Sequence, residues 1–287
     1  MGFNTKTSQL RADIVFNTLV NSTAYYLSKM GLSATVLGIS GGIDSTICAI
    51  ICHEVSKRTG IPLLGFSLPC STNKGCENST AKLVGEQLCD EFHVVSLEKL
   101  YTAADEVFNS VGLESTPISR GNIKARLRGN FLYNVAGIRK GLVIDTDNMT
   151  EHLLGFWTIA GGDECDFNPI GQLWKTEIYA LAEWLLSTPA YKDCQGLKES
   201  VLLTPTDGNG VSNSDLDQIA PGYTYDLVDK VLQGYVNGQD VSQLPCADMI
   251  INRVKKSEFK RKQRPLIIDL ATGDICEKNG NIFIKND

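Results

Sequence analysis

The chain has 287 residues, of which 43% are hydrophobic and 21% charged, and its formal net charge is −6. This composition is ordinary for a globular protein, and the acidic balance disfavours non-specific binding to nucleic acids. No apolar run approaches the length that spans a bilayer, and residues 1–6 carry no targeting pattern. The nine cysteines form no Cys-x-x-Cys pair. We therefore expect reduced thiols in the cytoplasm, with neither nucleic acid nor membrane as a partner.

The first predicted element is a helix over 9–29. Its main apolar residues recur at helical spacing: Ala12, Phe16, Val20, Ala24 and Leu27. Three further apolar residues widen this face: Leu10, Ile14 and Leu19. Such a wide face fits a helix buried in its own domain and a helix at a subunit interface equally well.

Strands and helices then alternate along the chain. Short apolar runs predict buried strands over 36–39, 63–68, 92–95 and 142–145. Helical patterns cover 45–58, 81–88, 97–107, 123–138 and 177–186. This alternation predicts an α/β fold with a doubly wound, Rossmann-like parallel sheet, which binds its ligand at the carboxyl ends of the strands.

Beyond these elements the pattern is weaker. The stretch 199–214 is rich in Thr, Gly, Asn, Ser and Asp, and it is either a plain connection or a lid. Short helices are predicted over 225–232 and 247–254. Residues 255–264 include six basic side chains in an acidic chain, which fits a solvated face or a phosphate contact.

The C-terminal residues form a separate unit in this interpretation. We assign 1–265 to a single domain and 266–287 to a tail without chemistry. Two short strands are predicted in the tail, over 266–270 and 281–284. The Asn279-Gly280 pair is a typical turn, so the tail is expected to end in a β-hairpin.

The stretch Thr35–Thr46 is the most informative part of the chain. Its apolar strand is followed by Ser-Gly-Gly-Ile-Asp-Ser and then by a helix. In such a unit the backbone amides of the turn and of the first helical turn point at one spot and can hold phosphate. Asp44 is useful at a phosphate site mainly if a metal ion lies between them. The loop matches the pyrophosphate loop of ATP pyrophosphatases, although a Gly-Gly turn alone is often only a tight connection.

Four further polar stretches follow predicted strands or lie in loops. They are 121–126, 145–151, 166–169 leading to Lys175, and the Pro-Thr-Asp loop at 205–207. Together with the Ser-Gly-Gly loop, they resemble the NAD synthetase family over about 9–265. Other ATP pyrophosphatases share the loop but not the segments around Arg126 and Glu151.

The resemblance implies a reaction and a set of site residues. In this reaction the nicotinate carboxylate of deamido-NAD attacks the α-phosphate of ATP, pyrophosphate leaves, and ammonia then displaces AMP to give NAD. The residues that match the family's Mg²⁺ ligands are Asp44 and Glu151. Those that match its ATP contacts are Gly38, Ile39, Ser40, Gly41, Gly42, Ile43, Asp44, Ser45, Thr146, Lys175 and Thr206. Those that match its deamido-NAD contacts are Arg126, Asp166, Phe259 and Lys260.

Four of these residues are the expected catalytic set: Asp44, Glu151, Lys175 and Asp166. Taken singly, Glu151 could be only an exposed acid at a helix start, and Arg126 only part of a surface salt bridge. The family also implies a homodimer, which we place at the 9–29 helix and the 123–138 helix.

The chain departs from the family pattern at several positions. Asp145 stands where the family has Gly, which affects the shape of that loop, and Ser67 and Asn73 replace an Arg and a Gln near adenine. Ile159 and Phe259 resemble the synthetase module of glutamine-dependent enzymes, yet no glutaminase is expected, so we predict use of free ammonia. Two alternatives stay open: another amidoligase of the same class, and a non-catalytic ATP-binding module.

Overall fold

The computed structural model describes residues 9–161, 165–206, 210, 212–262, 266–272, 274–277 and 281–285. Within these ranges no helix is both long and apolar enough to cross a membrane.

A four-stranded parallel sheet forms the centre of the chain. Its strands are β1 (Ala34–Gly38), β2 (Leu63–Ser67), β3 (Glu91–Val94) and β4 (Gly141–Ile144), in the order β3-β2-β1-β4. All three neighbouring pairs are parallel, with Leu37 opposite Gly65 on one side and Ile144 on the other. The chain therefore leaves β1 toward β2 on one side, and β4 returns on the other. This reversal of strand order beside β1 creates a crevice at the carboxyl ends, where ligands bind in doubly wound folds.

Helices cover both faces of this sheet and continue beyond it. In order they are α1 (Gln9–Met30), α2 (Ile43–Thr59), α3 (Gly75–Leu88), α4 (Glu98–Ser110), α5 (Pro117–Arg139), α6 (Met149–Leu154), α7 (Lys175–Ser187), α8 (Gln195–Leu202), α9 (Asp215–Ile219), α10 (Tyr225–Val236) and α11 (Ala247–Lys256). The predicted doubly wound parallel sheet is confirmed, and the strand bounds differ from the prediction by no more than two residues at either end.

The apolar face of helix α1 packs against other helices of the same chain. Its residues Ala12, Phe16, Val20 and Leu27 are buried in the same core cluster as α2 and α7, and the Phe16 ring lies 5.7 Å from that of Trp184. Ile14, which also belonged to the predicted wide face, is 59% exposed. The apolar stripe is thus accounted for by intrachain packing, and it no longer argues for a subunit interface.

The irregular regions differ from the prediction in two places. Residues 199–202 belong to α8 rather than to a loop, although the described residues from 203 to 214 contain no further helix or strand. Both predicted tail strands are present, as β5 (Ile267–Ile268) and β7 (Ile282–Ile284), but in the described part of the tail a third strand, β6 (Ile275–Cys276), lies between them and pairs antiparallel with both. A two-residue strand such as β6 is too short to show a period of two in sequence. The predicted turn at 279–280 and the domain boundary at 265 lie outside the described residues.

A second core cluster lies beyond the sheet. It joins α6 to α10 and α11 through residues such as Leu154, Val228, Leu232 and Ile250, all of which are fully buried. This cluster determines the position of α6, which is only six residues long. A helix of that length is not stable alone and takes its position from its neighbours.

Candidate active site

The Ser-Gly-Gly loop lies at the carboxyl end of β1, as the sequence predicts. Gly41 has φ +88°, and a Cβ there would lie 2.4 Å from the carbonyl oxygen of Glu77 on α3. Only glycine allows both this backbone conformation and this close approach. Gly41 therefore faces α3, while its neighbours Ser40 and Gly42 line a pocket at the end of the strand.

Two serine hydroxyls shape this loop from within. The Ser40 hydroxyl accepts the Gly42 amide at 3.1 Å and lies 2.9 Å from the Ser45 hydroxyl, which donates to the Gly42 carbonyl at 3.0 Å. Gly42 is the N-cap of α2 and has no side chain that could bond the first-turn amides. These amides and the positive end of the helix dipole are thus available to an anion.

Three charged side chains meet beside the loop. The Lys175 ammonium donates to Asp44 at 2.5 Å and to Glu151 at 3.2 Å. Lys175 is 1% exposed and Glu151 is 8% exposed. Glu151 is therefore not the exposed acid that was weighed as its alternative. The three residues lie in the first turns of three different helices, α2, α6 and α7, and their charges converge at one point.

Burial and charge have opposite effects on these groups. Burial is the largest effect on Glu151 and raises its pKa to about 7, against the lowering effect of Lys175. Burial tends to lower the pKa of Lys175, but Asp44 and Glu151 outweigh it and hold that pKa well above its usual value. The ammonium therefore stays charged and acts as the counter-ion of both carboxylates.

Asn148 connects two of the three helix starts. Its side-chain amide donates to Asp44 at 2.9 Å, and its side-chain oxygen accepts the Glu151 backbone amide at 3.0 Å. The Glu151 carboxylate accepts the Asn148 amide in return, at 3.2 Å, which completes a capping box at the start of α6. Asn148 is fully buried, and it fixes the distance between the two carboxylates.

The departure at Asp145 has a structural explanation. Its carboxylate accepts the backbone amides of Thr146 at 2.6 Å and Asp147 at 3.1 Å. These bonds tighten the loop after β4 into an Asx-type turn. A glycine could not make them, so the loop is held by a side chain instead.

The pocket collects nearly all of the predicted ATP residues. Those that line it are Gly38, Ile39, Ser40, Gly42, Ile43, Asp44, Ser45, Thr146, Lys175 and Thr206, and the predicted metal ligand Glu151 lines it as well. The loop at 205–206 reaches the pocket through α3, because the Thr206 hydroxyl donates to Glu77 at 2.5 Å. Asp207 lies outside the described residues.

At the other end of the pocket lie the two positions that depart from the family near adenine. Ser67 is buried, and Asn73 accepts the Cys70 amide at 2.9 Å. Arg128 of α5 also bonds Asn73, at 3.1 Å, and donates to the Leu68 carbonyl at 3.1 Å. An arginine from α5 thus covers the carboxyl end of β2.

The predicted deamido-NAD residues do not join this pocket. Arg126 is exposed and donates to the Ile159 carbonyl at 3.1 Å. Asp166 is exposed and accepts the Val143 amide at 3.0 Å. Phe259 is 48% exposed. None of these three residues, nor Lys260, lines the pocket.

The part of the basic segment that the structure describes binds protein carbonyls. Lys260 donates to the carbonyls of Gly155, at 2.7 Å, and Trp157, and Arg261 donates to the Leu153 carbonyl at 2.6 Å. Arg253 of α11 binds the Leu154 carbonyl at 3.1 Å. Cations therefore cap the C-terminal end of α6, where unpaired carbonyls and the helix dipole favour positive charge.

Three functional candidates escaped the sequence analysis: Asn148, Thr150 and Asp229. The spacing of Asn148 and Glu151 matches a capping box and could have revealed the first. Nothing in the sequence marks Asp229, which lies on α10 and reaches the site only through tertiary packing. Within the described residues, no group of three or more His, Cys, Asp or Glu side chains is placed to hold a metal ion.

Comparisons with known proteins agree with this geometry. The family model for NAD synthase matches residues 15–264. An NH3-dependent NAD(+) synthetase of Helicobacter pylori is 31% identical over 247 residues, which cover 82% of this chain and 88% of the relative.

Two solved structures have the same fold over most of their length. The NMN synthetase of Francisella tularensis superposes with a TM-score of 0.74 at 26% identity, covering 89% of this chain and 98% of that one. The NH3-dependent NAD synthetase of Campylobacter jejuni gives 0.68 at 25% identity, with the same coverage. Because the family model and the curated relative both match most of its length, the chain belongs to the NAD synthase family.

Proposed function

We propose that this chain catalyses the ATP-dependent amidation of deamido-NAD with ammonia, giving NAD, AMP and pyrophosphate. The observation that carries the proposal is the convergence of Asp44, Glu151 and Lys175 beside an amide-lined loop at the carboxyl end of β1. A protein that only bound ATP would have no need of a buried Glu151 beside a half-buried Asp44 at that point. The Helicobacter pylori relative is an NH3-dependent NAD(+) synthetase, which supports ammonia as the nitrogen donor.

Mg²⁺ fits the carboxylate pair. Asp44 and Glu151 lie close enough to share one ammonium group, so they can share one divalent cation, with phosphate oxygens and water as its other ligands. When bound, the ion would neutralise negative charge on the phosphates of ATP. Lys175 would have to yield its place between the carboxylates, and its ammonium would then be free to contact phosphate.

The residues of the chain have distinct tasks in this reaction. Backbone amides at the start of α2 hold the phosphates that leave as pyrophosphate, and Lys175 balances their charge. The nicotinate carboxylate forms a bond to the α-phosphorus while the bond from that phosphorus to the bridging oxygen breaks. Ammonia then bonds to the activated carbonyl carbon, AMP leaves, and the nitrogen loses a proton to give the amide. Thr146 and Thr206 line the pocket where ATP would lie.

The second substrate is assigned to a set of residues outside the pocket. We assign Arg126, Asp166, Phe259 and Lys260 to deamido-NAD, with Asp166 also acting in catalysis. Arg126 lies on α5, Phe259 and Lys260 are neighbours after α11, and none of the four residues lines the pocket beside the Ser-Gly-Gly loop.

We also propose that the chain works as a homodimer in the cytoplasm. No residue of α4 is buried, and Val107 on it is 64% exposed; Ile138 on α5 is 73% exposed. The exposed apolar side chains of these two helices are available to a second copy of the chain. All nine cysteines are free, which fits a reducing compartment.

One assay tests the activity against its alternatives. Purified chain receives ATP, Mg²⁺ and ammonium, and pyrophosphate and amide products are measured with deamido-NAD, with nicotinate mononucleotide or with neither. We expect turnover mainly with deamido-NAD, and no product when glutamine replaces ammonium. The mononucleotide arm is included because one structural relative is an NMN synthetase.

Each other outcome contradicts the proposal in its own way. Faster turnover of the mononucleotide would make the chain an amidoligase for the smaller substrate. Binding of ATP without pyrophosphate release in any arm would make it a binding module.

The nitrogen donor is tested by the pH dependence of the rate. Because ammonia rather than ammonium is the nucleophile, the rate at fixed total ammonium should rise as the pH approaches the pKa of the ammonium ion. Equal efficiency with glutamine would contradict the choice of nitrogen donor.

A further inference from the structure

A buried carboxylate lies behind the catalytic charges, outside the pocket. Asp229 on α10 is 1% exposed. It accepts the Thr150 hydroxyl at 2.6 Å, the Thr176 backbone amide at 2.9 Å and the Thr176 hydroxyl at 2.8 Å. A carboxylate buried this deeply is stabilised by several donors of this kind.

The two threonines adjoin the two buried site residues. Thr150 precedes Glu151 on α6, and Thr176 follows Lys175 on α7. The Thr150 hydroxyl also accepts the Lys175 backbone amide at 3.0 Å. One hydroxyl thus links Asp229 to the start of α7, and one carboxylate holds both helices.

These bonds satisfy the first amides of α7 with groups from other helices. Trp174, the N-cap of α7, makes no side-chain bond to the amides that follow it. The amide of Lys175 is paired with α6 and that of Thr176 with α10, and a negative charge at this end also favours the helix dipole. The place where α7 begins, and so the position of Lys175, depends on these two partners.

Packing alone does not explain a carboxylate at this position. The neighbours Val228, Val231 and Leu232 belong to an apolar cluster with Leu154 and Ile250. An apolar side chain of similar size would avoid the desolvation penalty of a carboxylate, but it would leave the Thr150 hydroxyl and the Thr176 amide without this acceptor. The charge is therefore retained for what it bonds.

We propose that Asp229 is a positioning residue for the ATP and magnesium end of the site. Through Thr150 and Thr176 it sets Glu151 and Lys175 at the distance at which both can act on one metal–phosphate group. This role rests on the proposed function, because that function gives Glu151 and Lys175 their tasks.

The test compares two nearly isosteric substitutions with a control. Asp229→Asn places an amide N–H where an acceptor is needed, and Thr150→Val removes the linking hydroxyl, whereas Thr150→Ser keeps it. We expect the first two to raise the half-saturating Mg²⁺ concentration and the KM for ATP about tenfold, with the KM for deamido-NAD within about twofold of wild type. Thr150→Ser should match the wild type.

The control variant weakens a comparable charge-assisted bond elsewhere. Glu54 on α2 accepts the buried Tyr191 hydroxyl at 2.6 Å, away from the site. Glu54→Gln should lower the melting temperature without changing the constants for Mg²⁺ or ATP. If Asp229→Asn and Thr150→Val behave like this control, Asp229 is only structural and the proposal is wrong.

A binding measurement separates this proposal from the activity itself. Calorimetry with Mg²⁺ and α,β-methylene-ATP, which cannot release pyrophosphate, should show the same tenfold weakening in Thr150→Val. This result would support the positioning role even if the wild type amidated nothing, in which case only the proposed function would be lost. Should Asp229→Asn not fold, the Thr150→Val and Thr150→Ser pair decides the question alone, and unchanged binding in both would overturn the role.

Discussion

The two halves of the candidate site are built in different ways. At the ATP end, Asp44, Glu151 and Lys175 are held by one another, and Asn148 fixes the carboxylates. At the dinucleotide end, the assigned residues are exposed or are bonded to backbone carbonyls and amides. Arg126, for example, is exposed and donates to the Ile159 carbonyl at 3.1 Å.

This difference indicates that the side chains of the ATP end are preorganised for binding, whereas those of the dinucleotide end are not. Groups that already face one another lose little conformational freedom when ATP binds, so their contribution goes into charge stabilisation. Scattered groups must be brought together by the second substrate or completed by a second copy. Variants at the ATP end should therefore affect chemistry most, and those at the dinucleotide end should affect the KM for that substrate.

The largest effect is expected from the carboxylates. Asp44→Asn and Glu151→Gln should each lower turnover about 100- to 1,000-fold even at high Mg²⁺, because each removes a charge from the proposed metal site. Each also leaves the buried Lys175 with a single counter-ion, so the melting temperature should fall as well. Stopped pyrophosphate assays and thermal unfolding measure the two effects.

The control for this pair is Glu54→Gln, a neutralised carboxylate on the same helix as Asp44. It should keep near-normal turnover. If Asp44→Asn or Glu151→Gln keeps near-normal turnover at saturating Mg²⁺, that residue is not a metal ligand. The proposed contrast between the two ends of the site would then be wrong as well.

Lys175→Met should have a smaller effect on turnover than the carboxylate variants and an informative response to metal. Without the ammonium, Asp44 and Glu151 repel each other and should bind Mg²⁺ in the absence of ATP. We expect added Mg²⁺ to raise the melting temperature of this variant by about 3 °C more than that of the wild type. Turnover should fall about 100-fold, since Lys175 no longer balances the phosphates.

A surface lysine provides the comparison for this measurement. Lys198 lies 3.9 Å from Asp193 and is 41% exposed in its side chain. Lys198→Met should respond to Mg²⁺ as the wild type does. If Lys175→Met shows no greater response than this control, the ammonium does not occupy the place of a metal ion.

The sequence predicts the ATP end well because most of its signals are local. The run from Val36 to Ser45 contains the strand, the glycine turn and the helix start within a few residues, so its geometry follows from chain connectivity. Four parallel strands also follow from alternation alone. Lys175 could be named only through the family resemblance.

Other features depend on contacts between distant elements and leave no local pattern. The apolar stripe of α1 looks the same whether α7 or a second subunit covers it. Asp229 is an ordinary helical acid in sequence, and its burial between α6 and α7 is decided by tertiary packing. The basic segment was expected in solvent or on phosphate, yet Lys260 and Arg261 cap the C-terminal end of α6.

A variant of Lys260 should have a moderate effect, and it tests whether this residue acts on deamido-NAD or on ATP. We expect Lys260→Ala to raise the KM for deamido-NAD about tenfold and that for ATP by less than about twofold, since the residue is assigned to the dinucleotide. Lys256→Ala, a change of an exposed lysine nearby, should alter neither constant. A parallel rise in both constants for Lys260→Ala would instead assign Lys260 to the positioning of α6.

The smallest effect concerns a second copy of the chain. The Tyr133 hydroxyl of α5 bonds Asp166, so the exposed side of this helix adjoins the dinucleotide residues. If α5 forms the dimer interface, Ile138→Glu should convert a species of twice the chain mass into a monomer in sedimentation experiments at micromolar concentration. The KM for deamido-NAD should then rise several-fold, while Mg²⁺ and ATP bind as in the wild type, because their residues are complete within one chain. Ile14→Glu, at an exposed position of α1, should leave the dimer intact. A monomeric wild type, or a dimer lost only with the α1 change, would refute this arrangement.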